Sequence, residues 1–76
     1  MKFEKALLKV TEEYNRASDQ NPAFNSAHEG IAVLMEELDE LKAEVWKKGR
    51  ERDRARMRKE AQQVAAMAIR FMVDLL

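Results

Sequence analysis

Only three of the 76 residues are glycine or proline: Pro22, Gly30 and Gly49. A chain with so few backbone breaks has few places to turn, and between the breaks its apolar residues keep helical spacing. Phe3, Leu7, Val10, Tyr14 and Ala17 alternate four- and three-residue steps, which draws one stripe along a first helix. DQNPAFNS interrupts it, since proline fixes its own backbone and biases the preceding residue away from helix. Ser26-Ala-His-Glu29 then reads as a capping box that starts a second helix. The stripe of that helix is Ile31, Leu34, Leu38, Leu41 and Val45, with Gly49 as its C-terminal cap. A third helix, capped by Asp53, carries Met57, Ala61, Val64, Ala68, Phe71 and Leu75. Ala61, Ala65 and Ala68 leave room for a neighbouring helix. No stretch alternates with a strand period, so the expected fold is all-α, a single domain over residues 1–76 built as an antiparallel bundle of three helices.

Size limits what such a bundle achieves alone. A chain this short buries only about 60% of the surface its unfolded form exposes. It has no cysteine, so disulfides and thiolate metal sites are excluded. The remaining way to enlarge the core is to share it, and completion of the bundle by oligomerisation, as a homodimer or homotetramer, is expected. The formal net charge is zero, which removes any global attraction to nucleic acid or anionic membrane. MKFEKALLKV carries a charge every few residues, unlike a signal peptide, and no apolar run approaches the roughly 20 residues of a membrane span. A cytoplasmic protein without a membrane partner is expected.

The stretch EELDELKAEVW, Glu36 to Trp46, holds five acids. With about 100° between successive helical residues, Glu37 and Glu44 fall about 75–100° to one side of the apolar stripe and Glu40 somewhat further round. Glu36 and Asp39 point toward solvent. Glu37, Glu40 and Glu44 thus form one ridge, and like charges on adjacent turns repel by a few tenths of a kcal/mol per pair. Lysines or arginines of a neighbouring helix would offset this, as would a divalent cation with oxygen ligands. On the third helix Glu60 and Gln63 share a flank with Met67. If helices two and three pack antiparallel, Glu37, Glu40, Glu60 and Gln63 can converge, at the kind of helix interface where bundles build metal sites.

Glu36-Glu37-Leu-Asp-Glu40 followed by Glu60-Ala-Gln-Gln63 resembles the paired EExxE and ExxD motifs of the all-α, MazG-like nucleoside triphosphate pyrophosphohydrolases. The resemblance runs from about His28 to Leu75 and includes an alanine-rich segment after the second motif. It implies a domain that binds Mg²⁺, with Mn²⁺ as an alternative, and cleaves a nucleoside triphosphate to the monophosphate and pyrophosphate. Carried over, the metal ligands are Glu37, Glu40, Glu60 and Gln63, with Glu36 as the catalytic helper that orients water. Gln63 departs from the pattern: an amide oxygen can ligate Mg²⁺ but brings no charge and cannot act as a base. The chain is also short for the family, whose domains often have a fourth helix, so a partner subunit is expected to supply a missing wall.

KKGRERDRARMRK, Lys47 to Lys59, sets eight bases against two acids. One reading is a triphosphate clamp, with Arg50, Arg54 and Arg56 as phosphate ligands, because guanidinium forks match phosphate oxygens. The other is a solvated segment that pairs with the acidic second helix. The absence of aromatics argues against stacking on single-stranded nucleic acid. Trp46 reads as a packing residue near Met35, and Phe24, Met35, Met67 and Met72 as core. His28 and Asn25 read as polar contacts at the start of the second helix. The rival to an enzyme is a non-catalytic helical oligomerisation module with a degenerate metal site; a nucleic-acid-binding accessory protein is a weaker third reading.

Overall fold

The computed structural model describes the whole chain, Met1–Leu76. Helices α1 (Phe3–Gln20), α2 (Ala27–Val45) and α3 (Arg54–Leu75) account for most of it, with a single 3₁₀ turn at Gly49–Glu51. The expected all-α, three-helix fold is what forms. No helix is long and apolar enough to cross a membrane.

The helix ends follow from their capping chemistry. Ser26 Oγ accepts the Glu29 N–H at 3.1 Å, as a capping box requires. The return bond is displaced by one residue, since Glu29 Oε1 accepts the N–H of Asn25 instead of that of Ser26. Asp53 Oδ1 takes the N–H groups of Ala55 and Arg56 at 2.9 and 3.2 Å, so α3 starts where the sequence predicts. Gly49 is not the cap of α2. That helix ends at Val45, Trp46 leaves it with φ −86° and ψ 4°, and Gly49 has no positive φ. No left-handed residue is needed, because the chain unwinds through ordinary dihedrals into the 3₁₀ turn.

Both α1 and α2 pack on α3, and their backbones do not pack on one another. The α2–α3 pair is antiparallel: Gly30 lies against Phe71 and Leu75, whereas Glu44 at the other end shares a groove with Arg56 and Glu60. The buried apolar residues are few, namely Ala17, Phe24, Ala66 and Met67, with Val10, Tyr14, Val33, Leu34, Phe71 and Leu75 packed around them. The missing side chain of Gly30 lets α2 close on Phe71. Residues seven apart share a helix face, so Gly30, Glu37 and Glu44 turn together toward α3.

That rotation corrects the sequence reading of the core. Ile31, Leu38 and Val45 of the α2 stripe are exposed, and so are Phe3 and Leu7 of the α1 stripe. Met35 and Met72, expected in the core, are exposed, and so is Trp46, at 69%, which therefore packs in no core of its own chain. Phe24 and Met67 are buried as expected.

One buried group was not anticipated. Arg70 is only 3% exposed, with its guanidinium 4.5 Å from the Phe24 ring centre and its Nη2 donating to the Pro22 carbonyl at 2.8 Å. Asp74, one turn on, accepts the Phe24 N–H at 3.0 Å. Together they fasten the α1–α2 connection to α3.

Candidate metal centre

The α2 face turned toward α3 brings Glu37 and Glu40 to Glu60, and one carboxylate oxygen from each lies within 4.8 Å of the others. Glu37 and Glu60 are half-buried and Glu40 is exposed. None of the three takes part in the five ion pairs of the structure. Glu44, which extends their ridge, is buried and held by Lys47 at 2.6 Å. The repulsion along the ridge is therefore offset by a cation at Glu44, but not at the three converging carboxylates.

Their proton affinities register this crowding. Burial, then the charge of Glu40 and a hydrogen bond with it, then Glu60 and Glu13, push Glu37 up to about 7. Glu60 is raised as well, by burial first and by Glu40 next, with Lys59 opposing. Carboxylates that share a site and disfavour one another's charge form a donor set suited to a hard divalent cation.

Gln63 sits among them. With its nitrogen inward, the amide donates to Glu37 Oε2 and Glu60 Oε2, both at 3.0 Å. With its oxygen inward, it adds a further oxygen to the cluster, an arrangement that a cation, or a proton on Glu37 or Glu60, would hold together. The residues thus fit a divalent metal: three carboxylates and one amide that can either ligate or, reversed, bridge two of the acids in the metal's place.

The other sequence candidates distribute unevenly around this centre. Glu36 is exposed, one turn before Glu40, and its carboxylate is not among the converging three. Arg56 lines a groove of about 380 Å³ together with Glu40, Glu44, Lys59 and Glu60, so one of the three phosphate-binding candidates borders the acids. Arg50 lies in the 3₁₀ turn and Arg54 at the first position of α3, both exposed and outside that groove.

A second opening lies between α1 and α2, which α3 holds apart. This cleft of about 310 Å³ is lined by Arg16, Asn21, Phe24 and Val33, and Glu37 forms part of its wall. Arg16 lies on α1, outside the basic segment that carries the phosphate-binding candidates. It stands on the α1 face that Glu13 shares, and Glu13 holds its guanidinium at 2.6 Å and raises its pKa. The i, i+3 spacing of Glu13 and Arg16 was the available signal. For Arg70 it was Arg-x-x-x-Asp inside an apolar helix.

Comparisons with protein-family models, with curated proteins and with solved structures returned no match.

Proposed function

We propose that this chain is a Mg²⁺-dependent nucleoside triphosphate pyrophosphohydrolase of the MazG-like kind. The observation that carries the reading is the convergence of Glu37, Glu40 and Glu60 with no lysine or arginine paired to them. Glu37, Glu40 and Glu60 would hold the metal, with Gln63 ligating through its oxygen. A bound Mg²⁺ supplies Lewis-acid charge at phosphate oxygens and favours ionisation of water. Around it, the chain's own groups divide the work. Glu37 joins the acidic cluster to the α1–α2 cleft, whose volume is at the lower end of small-ligand pockets and provides room for a nucleoside. Arg56 and Lys59 border the same acids and would counter charge on the departing pyrophosphate. Glu36, exposed one turn from Glu40, would orient water.

The test is release of pyrophosphate from a panel of ribo- and deoxyribonucleoside triphosphates with Mg²⁺ or Mn²⁺. Monophosphate and pyrophosphate are expected in equal amounts, with loss of turnover in Glu37→Gln and Glu60→Gln. Absence of release from every nucleotide, with no change in melting temperature on adding either metal, overturns the reading.

One observation favours the alternative, a non-catalytic helical module with a degenerate site. Turned with its nitrogen inward, the Gln63 amide would satisfy Glu37 and Glu60 at 3.0 Å without any cation. In that case metal binds no more tightly to the native chain than to Glu60→Gln.

A further inference from the structure

Two cations line the α1–α2 cleft, Arg16 and Arg70, and only one has groups to offer a ligand. Arg70 is buried, donates its Nη2 to the Pro22 carbonyl and lies over the Phe24 ring, so its guanidinium is part of the wall. Arg16 keeps a half-exposed side chain. Glu13, on the preceding turn of α1, accepts from its Nε at 2.8 Å and pairs with its Nη2 at 2.6 Å. Gln20 Oε1, on the next turn, accepts from its Nη1 at 2.7 Å. These bonds use three of the five N–H groups of a guanidinium and leave one on each terminal nitrogen.

The ion pair is lopsided. The Glu13 side chain is 13% exposed against 53% for Arg16, so the carboxylate is the anchor and the guanidinium is the group presented. A long side chain held from two sides has little freedom left to lose on binding, and its fork matches phosphate oxygens. Glu37 ties this arginine to the carboxylate cluster. It lines the same cleft, and its charge adds to the rise in the Arg16 pKa that Glu13 causes first by hydrogen bond and then by charge. Arg16 therefore stands on the Glu37 side of the three carboxylates, whereas Arg56 and Lys59 share a groove with Glu40 and Glu60. Cations on both sides of one acidic centre bracket the path that a polyphosphate would take across it.

We propose that Arg16 is a phosphate ligand and takes the phosphate joined to the nucleoside, while Arg56 and Lys59 take the two that leave as pyrophosphate. The assignment rests on the proposed nucleotide hydrolysis, which puts the nucleoside in the cleft and the pyrophosphate in the groove. Connectivity then fixes the order. The α-phosphate is the one bonded to the nucleoside, so the cation that shares the cleft is the one that meets it. After cleavage Arg16 holds the monophosphate, and Arg56 and Lys59 hold the pyrophosphate. Glu13 is a positioning residue, which acts on the phosphate only through Arg16.

Calorimetric titration of the products separates the two sides without turnover. Nucleoside monophosphates and pyrophosphate are titrated, each with Mg²⁺, into the native chain, Arg16→Gln and Arg56→Gln. Arg16→Gln should weaken monophosphate binding about tenfold and leave pyrophosphate within about twofold, as loss of a charged hydrogen bond predicts. Arg56→Gln should do the reverse. Arg16→Lys, which keeps the charge without the fork, should recover part of the loss. Glu13→Gln should weaken the monophosphate by less than Arg16→Gln does. Equal monophosphate affinity in Arg16→Gln and a native chain that releases pyrophosphate from a triphosphate overturns the assignment and leaves the hydrolase in place. Equal losses of both products in Arg16→Gln also overturn it, because they mark a structural role. A native chain that binds neither product and releases no pyrophosphate overturns the hydrolase, and the assignment with it.

Discussion

Glu37 concentrates the chemistry of this protein because its surroundings work against its charge. Its carboxyl is pushed up to about 7 from 4.5, chiefly by burial and next by Glu40. Between those two values the folded chain binds more protons than the unfolded one, so stability falls as pH rises through that window and levels off above it. Metal-free protein in chelator should therefore melt at a lower temperature at about pH 8 than at about pH 5.5. Mg²⁺ should restore on the order of 5 °C at the higher pH and little at the lower, where the ligands hold protons. Melting curves that ignore both pH and Mg²⁺ would rule this out. Gln63 is the second decisive residue. Gln63→Asp removes the two 3.0 Å hydrogen bonds that the amide makes with its nitrogen inward and adds a fourth carboxylate. The metal-free variant should lose about 1–3 kcal/mol in urea denaturation. Its Mn²⁺ affinity should rise, by roughly tenfold, because ligand charge tunes such sites. Calorimetric titration that gives equal affinities would place Gln63 outside the coordination sphere. The sequence singles out Glu37, Glu40, Glu60 and Gln63 because helical spacing is local. The Lys47–Glu44 pair is equally local, at i, i+3; that the other three acids meet without a cation is not, since that depends on how α2 is turned against α3.

At the scale of elements, one glycine sets that turn. A Cβ on Gly30 would stand 2.6 Å from Phe71 Cδ2 and 3.2 Å from Leu75 Cδ1. Replacing glycine in a helix gains about 1 kcal/mol, whereas overpacking costs about 1–3 kcal/mol. Gly30→Ala is expected to destabilise the chain by roughly 1 kcal/mol and to spread α2 from α3, weakening metal binding as well. Gly49→Ala meets nothing within 4 Å and should change stability by less than about 0.5 kcal/mol. Urea denaturation of the pair checks both, and equal stabilities would remove Gly30 from this role. Capping was legible in the sequence wherever a side chain bonds its own first turn, as with Ser26 and Asp53. It was misread at Gly49 because glycine permits a left-handed cap without requiring one. The Arg70–Asp74 spacing was legible but its role was not, since what the pair fastens is a loop 48 and 50 residues away in the chain.

For the whole molecule, a core of four buried apolar residues is small for three helices. If dimerisation completes the fold, the melting temperature should climb with protein concentration, whereas a self-sufficient monomer melts at a fixed temperature. Calorimetry over a hundredfold range of concentration distinguishes them. The sequence by itself determined three helices, two of their caps and the acids and amide able to meet, because capping, turn chemistry and helical period act over a few residues. Tertiary structure decided which face each helix buries, which acids go without a cation and which apolar stripe remains open. An apolar residue of helical period has no preference between its own chain's core and another's; only the docking of α2 on α3 through Gly30 divides the two.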